Sequence, residues 1–253
     1  MLHTQNLTVA IGGKTICREL NITIRPGECW GVLGQNGVGK TTLLRTLAGL
    51  HPAQSGIVKW HDKVLQAYSR MDLARHLALL PQRESGEFWG SVLEYVLLGR
   101  FPHRTLMFGY SAEDEAIAQQ ALAHMELAEM AQRPLNSLSG GETQRAAIAQ
   151  VLAQQAQCYL LDEPLQHLDL RHQVQAMRVF DEIRKQGCAL MMVLHDLSWA
   201  QRCCDHVVLQ FADGKALHGV AQEMLTRANL EALYQCQLSE LSGEGERCFI
   251  PSV

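Results

Sequence analysis

The chain is predicted to be an α/β protein, with short apolar strands alternating with helices, an antiparallel β segment ahead of them and a helical stretch interrupting them. Three observations carry that expectation. The run Cys29-Trp30-Gly31-Val32-Leu33 is a short apolar strand leading into a glycine-rich turn, after which Leu43, Leu44 and Leu47 recur at helical spacing. The same rhythm returns as a strand at 158–161 with a helix at 173–185, then as a strand at 189–194 with a helix from Ser198. Between these halves, residues 91 to about 130 become helical in period, and 112–130 are rich in the helix formers Ala, Glu and Gln.

The elements can be justified in order. Leu7-Thr8-Val9 and Leu20-Asn21-Ile22-Thr23-Ile24 alternate apolar and polar residues on either side of Gly12-Gly13, which predicts a hairpin within 2–24. Arg25-Pro26-Gly27-Glu28 is a turn. A helix is expected from Lys40 to about Gly49, a β segment at about 57–60, and a strand at 77–80 that ends at Pro81-Gln82. Near the other end, Asp213-Gly214 separates Val207-Val208-Leu209 from Ala216-Leu217, a second hairpin signal. No repeat, low-complexity tract or flexible linker interrupts this order.

Composition narrows the function classes. The 253 residues are 47 % hydrophobic and 19 % charged, enough apolar material for a packed core. The longest apolar run, 188–194, is far shorter than the roughly 20 residues a membrane span requires. The N-terminus has no basic segment followed by an apolar one, so a secretory leader is not expected and membrane association would come through a partner. A net charge of −4 argues against a broad electrostatic grip on nucleic acid. The eight cysteines (17, 29, 158, 188, 203, 204, 236 and 248) form no C-x-x-C pair and fit a reducing cytoplasm. Adjacent Cys203 and Cys204 invite a redox or metal reading, but free cysteines tend to be buried, and structural thiols are expected.

Three motifs carry chemistry. Gly34-Gln35-Asn36-Gly37-Val38-Gly39-Lys40-Thr41 matches G-x-x-x-x-G-K-[ST] between an expected strand and an expected helix. Glycines let backbone N–H groups converge on phosphate oxygens, and the helix adds the positive end of its dipole. Lys40 would reach the β- and γ-phosphates, the Thr41 hydroxyl would ligate Mg²⁺, and Thr42 would add an α-phosphate contact. The strand at 158–161 runs into Asp162-Glu163. Two acids before Pro164 also describe an ordinary turn. Paired with the loop at Gly34, Asp162 would hold Mg²⁺ through its water shell, and Glu163 would polarise the water that attacks the γ-phosphate. In Leu138-Ser139-Gly140-Gly141-Glu142, a helix start aims free N–H groups and a hydroxyl at an anion. The bare alternative is a helix cap with two glycines.

Together these stretches resemble the ATP-binding cassette ATPases over nearly the whole chain, in the expected order. Leu80-Pro81-Gln82 looks like the family's Q-loop, Leu138 to Glu142 its signature, Leu168-Asp169 its D-loop and Leu194-His195-Asp196 its switch histidine. The resemblance implies a single domain over 1–253. Its P-loop NTPase (RecA-like) core would take residues 1–82 and 138–253, with an antiparallel β subdomain and a helical subdomain inserted at about 84–137. It further implies that Gln82 senses Mg²⁺ and the attacking water, that His195 contacts the γ-phosphate, and that Ser139, Gly140, Gly141 and Glu142 meet the ATP of an opposing copy. His167 and His172 are left structural. The implied partners are a second copy, a dimeric membrane permease and, indirectly, a periplasmic or extracellular substrate-binding protein. The implied place is the cytoplasmic face of the inner membrane, with ATP and Mg²⁺ as cofactors.

Ser91-Val92-Leu93-Glu94 to Leu98-Gly99-Arg100, Pro102-His103, Ser111-Ala112-Glu113-Asp114 and Cys248-Phe249-Ile250-Pro251 are similar to cassette subunits of importers for iron chelates, haem and cobalamin. There are departures. The family carries an aromatic residue that stacks on adenine where this chain has Ile11, which implies a weaker hold on adenine and relaxed base selectivity. Leu165-Gln166-His167 replaces small and polar residues before the D-loop aspartate, and Glu142 stands where Gln is more frequent. A rival reading, a cassette ATPase acting on ribosomes or DNA, would join two cassettes or insert long coiled coils. Neither is seen. A degenerate, non-hydrolysing subunit is a third reading, opposed by intact Lys40, Asp162, Glu163 and His195.

Overall fold

The computed structural model describes residues 1–82, 88–104, 109–243 and 246–252. In chain order the elements are β1 (Leu2–Ile11), β2 (Lys14–Leu20), β3 (Thr23–Ile24), β4 (Cys29–Leu33), α1 (Lys40–Leu47), β5 (Ser55–Trp60), β6 (Lys63–Val64), α2 (Arg70–Ala74), β7 (Leu77–Leu80), α3 (Val92–Leu97), α4 (Ala112–His124), α5 (Gly140–Ala153), β8 (Cys158–Asp162), α6 (Leu170–Lys185), β9 (Ala189–Val193), α7 (Leu197–Cys203), β10 (His206–Gln210), β11 (Ala216–Val220), α8 (Ala221–Met224), α9 (Arg227–Tyr234), β12 (Leu238–Gly243) and β13 (Glu246–Pro251). The start of the expected helical insertion, at about 84, lies outside the described residues, as does part of the stretch between α3 and α4. Among the described residues, no helix is long and apolar enough to cross a membrane.

A six-stranded sheet in the order β11-β10-β4-β9-β8-β7 forms the centre, parallel from β10 to β7 and closed on one side by antiparallel β11. Its middle strands are buried on both faces, which explains their unbroken apolar runs. Period-two alternation sends Cys158 and Leu160 of β8, with Ala189, Met191 and Val193 of β9, into one apolar cluster shared with α1 and the antiparallel sheet. Tyr159 and Leu161, with Leu190 and Met192, enter a second cluster, built with α3, α4, α5 and α6. The mixed sheet and flanking helices make this an α/β P-loop fold.

The antiparallel sheet runs β2-β1-β5-β6, with β3 pairing β1. Gly12 and Gly13, with φ of +57° and +81°, make the tight turn between β1 and β2, a conformation close to the type I′ turn that hairpins favour. The second strand differs from the expected one. It occupies 14–20, and the chain breaks at Asn21, whose side-chain amide hydrogen-bonds Asn6 and the Glu19 carbonyl. Thr23 and Ile24 return separately against Leu2 and His3.

Three helix boundaries also shift. The helix expected at 173 starts at Leu170, because the Asp169 carboxylate accepts the His172 N–H and caps it. The stretch expected to be helical from 91 holds only six α-residues before a 3₁₀ segment with Pro102 inside it. The Ala-rich helix ends at His124, and Met130 belongs to a separate 3₁₀ turn. Cys203 closes α7, while Cys204 is buried with its Sγ 3.9 Å from that of Cys29.

Candidate nucleotide site

Strand register brings the chemistry together. Asp162 pairs with Val193, Leu80 with Leu161, Val32 with Val193 and Leu33 with Leu209, so five strands end at one edge. The residues that follow them, Gly34, Gln82, Glu163, His195 and the strand-ending Gln210, are therefore neighbours, although the sequence spreads them over most of the chain. Ligand sites of open parallel sheets collect at this edge.

A cleft of about 740 Å³ opens there. Of the residues singled out from the sequence, Ile11, Asn36, Gly37, Gly39, Lys40, Thr41, Thr42, Gln82, Glu163 and His195 line it. Gly34 and Gln35 hold the cleft's lysine. Lys40 Nζ donates to the Gly34 carbonyl at 2.8 Å and to the Gln35 carbonyl at 3.0 Å, and the side chain is only 6 % exposed. Burial lowers the Lys40 pKa, while the nearby Glu163 and Asp162 carboxylates oppose the shift.

Asp162 is 2 % exposed at the end of β8, and its Oδ1 has no hydrogen-bond partner among the described residues. Burial raises its pKa, the adjacent Glu163 charge adds to the shift, and a hydrogen bond from Thr41 and the charges of Lys40 and Arg45 work against it. An unpaired buried carboxylate oxygen beside a hydroxyl suits a hydrated divalent cation. Among the described residues, no group of three or more His, Cys, Asp or Glu side chains could hold a metal alone. Mg²⁺ here would share its coordination with nucleotide phosphates.

Glu163 has φ of +52°, a left-handed conformation uncommon for a side chain of its size. The bend leaves its Oε1 2.7 Å from His195 Nε2. His195 stands just before α7, whose first turn is capped by the Asp196 carboxylate accepting the Ser198 N–H at 2.7 Å. A carboxylate braced by an imidazole at the cleft wall can take a proton from water.

The signature residues sit elsewhere in this chain, outside the cleft lining. Ser139 caps α5 in a reciprocal box, its Oγ accepting the Glu142 N–H at 3.3 Å and its own N–H donating to Glu142 Oε2 at 2.7 Å. That box explains why Glu serves at position 142. Ser139 and Gly140 are exposed, so the N-terminus of α5 faces outward. Asp169, also outside the lining, accepts from the His172 N–H at 2.9 Å and lies 2.8 Å from His172 Nδ1.

Sequence reasoning missed several cleft residues. Lys14 and Ile16 of β2 line the cleft with Ile11, as do Gln173 and Trp199. Trp199 Nε1 donates to Gln173 Oε1 at 3.3 Å. Only the position of Trp199, four residues after His195 on a helix, was a usable signal. Val38 is buried beneath the loop and does not line the cleft.

The chain is similar to known proteins along most of its length. The family described as ABC transporter matches residues 17–166. The chain is 36 % identical over 236 residues to the iron(3+)-hydroxamate import ATP-binding protein FhuC of Bacillus subtilis (strain 168), covering 92 % of this chain and 87 % of that protein. It is 40 % identical over 229 residues to the hemin import ATP-binding protein HmuV of Streptomyces coelicolor, covering 90 % and 81 %. Among solved structures, an inward-facing putative metal-chelate type ABC transporter superposes with a TM-score of 0.85 at 28 % identity, covering all of this chain and 97 % of that one. The family match over residues 17–166 and relatives at 36 % and 40 % identity over nearly the whole chain place this protein in the ABC transporter family, as one of its ATP-binding, ATP-hydrolysing members.

Proposed function

We propose that this chain powers a membrane importer for a metal chelate, such as a ferric siderophore, haem or cobalamin. Two copies would close head to tail around two ATP molecules. The carrying observation is the Glu163–His195 contact at 2.7 Å, in a cleft whose floor holds Lys40. In this reading the loop from Gly34 to Thr42 wraps the phosphates, and Lys40 exchanges its two carbonyl partners for phosphate oxygens. Glu163 takes the proton of the attacking water while His195 holds Glu163 in position and reaches the γ-phosphate. Thr41, Gln82 and, through water, Asp162 would hold Mg²⁺, and the ion would supply positive charge to the transferring phosphoryl group. Ile11 lies against the base.

The exposed Ser139–Gly140 helix start supports the paired arrangement, because it lies outside the lining of the chain's own cleft and is open to an anion from another copy. Asp169 belongs to the same interface. The permease dimer would dock near Gln82 and the helical region, where Trp89 is 80 % exposed and Leu98 and Phe101 are also uncovered. The chain would then work peripherally at the cytoplasmic face of the inner membrane, with cargo delivered to the permease by a periplasmic or extracellular binding protein. The names of FhuC and HmuV support the cargo class.

The test is ATP turnover by the purified chain alone and reconstituted with its permease. Stimulation by the permease is expected, and Glu163→Gln should lower turnover by about 10²- to 10⁴-fold while trapping an ATP-dependent dimer. Turnover indifferent to any integral-membrane component would overturn the transport reading. A Glu163→Gln variant that stays monomeric with ATP and keeps hydrolysing it would overturn the assigned chemistry.

A further inference from the structure

Gln210 ends β10 with its side chain fully buried, at 0 % exposure, in a position where an apolar residue would pack at no polar cost. Both of its amide N–H groups are used. Nε2 donates to the Ile16 carbonyl of β2 at 2.9 Å and to the Val38 carbonyl of the phosphate loop at 3.2 Å, while Oε1 has no partner among the described residues. The backbone of the same residue closes on the other end of the loop. A Cβ on Gly34 would lie 2.5 Å from the Gln210 carbonyl oxygen, so the loop's first residue packs directly on this strand. Gln210 therefore touches the beginning of the phosphate loop and its Val38–Gly39 peptide, and the antiparallel sheet as well.

The direction of the Val38 contact matters. In a trans peptide the C=O and the following N–H point in opposite directions. Drawing the Val38 carbonyl down to Gln210 therefore turns the Gly39 N–H away from the core, toward the cleft that Gly39 lines. The Ile16 contact fixes the neighbouring wall, since Ile16 lines the cleft and its side chain fills the space where a Gly39 Cβ would stand, 2.6 Å from Cδ1.

We infer that Gln210 is a positioning residue for nucleotide binding, orienting the Gly39 peptide toward phosphate and locking the Ile11–Ile16 wall to the loop. This rests on the reading of the Gly34–Thr42 loop as the phosphate cradle. Gln210 itself is buried and does not line the cleft. The unpaired Oε1 is consistent with this, because the site uses the amide's donors and leaves its acceptor idle.

The experiment compares wild type with Gln210→Met, which keeps the volume and removes both donors, and with Gln210→Glu, which puts a carboxylate against two carbonyl oxygens. Equilibrium binding of ATP and ADP, steady-state KM and kcat, and the Tm without nucleotide are measured for each. Gln210→Met should weaken ATP and ADP binding about tenfold, the size of one misdirected hydrogen bond to a charged group, with KM rising in step and kcat within about twofold. Gln210→Glu should bind worse at neutral pH and recover part of the loss as the pH falls, because a protonated carboxyl regains one donor. Nucleotide affinity within twofold of wild type in Gln210→Met, whether or not its Tm falls, would overturn the inference. If Gln210→Met does not fold, a Gln210→Glu affinity that ignores pH would do the same. Wild-type protein that binds no ATP would instead refute the cradle reading beneath it.

Discussion

Replacing Ile11 by Tyr tests how the cleft holds the base. Ile11 is the last residue of β1, paired with Lys14 across the glycine turn, and 50 % exposed on the cleft lip. A base laid over it could cover only the uncovered half of the side chain. Full burial of an aliphatic side chain is worth about 1.5–3 kcal/mol, so the contact supplies about 0.7–1.5 kcal/mol. An aromatic partner supplies about 1–3 kcal/mol in nucleic-acid complexes. The difference, up to about 1.5 kcal/mol, is close to tenfold in affinity. Exposure at the lip leaves room for the larger ring without repacking the core. Ile11→Tyr should therefore lower the Kd for ATP by about two- to tenfold, measured by calorimetry on a hydrolysis-deficient background. Since every base has a π-face, GTP should gain too, and the wild type should separate ATP from GTP only weakly, as neither Ile11 nor Ile16 offers a hydrogen bond. An unchanged ATP affinity, or strong wild-type preference for ATP, would refute this account of the base site.

Asp162→Asn should abolish turnover yet raise the nucleotide-free Tm by about 2–4 °C, the shift expected for about 1 kcal/mol in a domain this size. The sign follows from the raised Asp162 pKa: the cost of its burial is absent below the ordinary carboxylate range and grows as pH rises through the folded-state pKa. The Asn variant should lose that pH dependence, and equal Tm–pH curves would contradict it. Arg100→Met should destabilise by about 1–3 kcal/mol in urea unfolding, because it removes the charged partner 2.8 Å from Asp114, which keeps its bonds from the Ser111 N–H and hydroxyl, and the Arg100 bond to the Ala153 carbonyl. A loss below 1 kcal/mol would show that the pair is not held dry. Ser139→Ala should leave ATP binding by the isolated chain unchanged but cut turnover at least tenfold, as expected for a donor to a phosphoryl group; a loss of binding instead would place Ser139 in its own chain's site.

The motifs were legible because each combines a fixed spacing with a strand or helix end. Leu33 into Gly34 and Leu161 into Asp162 are visible as apolar runs that stop at a glycine and at an acid, and both stop at the same sheet edge. What stayed hidden was pairing across the chain. Nothing in Lys14-Thr15-Ile16-Cys17 announces a strand as clearly as Leu20 to Ile24 does, since only the partner β1 makes use of it. The start of α6 is legible in principle, because Asp169 is a capping residue before a helical run, but the same residue also fits the D-loop, and that fit masks the cap.

Gln210 marks the boundary of such reading most sharply. In sequence it is the polar residue that ends Val207-Val208-Leu209, as strand ends often are, and 176 positions separate it from the start of the loop it supports. Its role exists only because β10 and β4 are parallel neighbours with Leu209 opposite Leu33, which carries Gln210 beside Gly34. The same register argument places Gln82 and His195 on either side of Glu163. A cassette of this kind is therefore assembled by strand order more than by any single motif. Inserting or deleting one residue within β8, β9 or β10 would leave every motif intact in the sequence and flip the buried faces that align them. Such variants should lose nucleotide binding together with cooperative unfolding, which separates them from point changes in the loop, where the fold survives and only binding is lost.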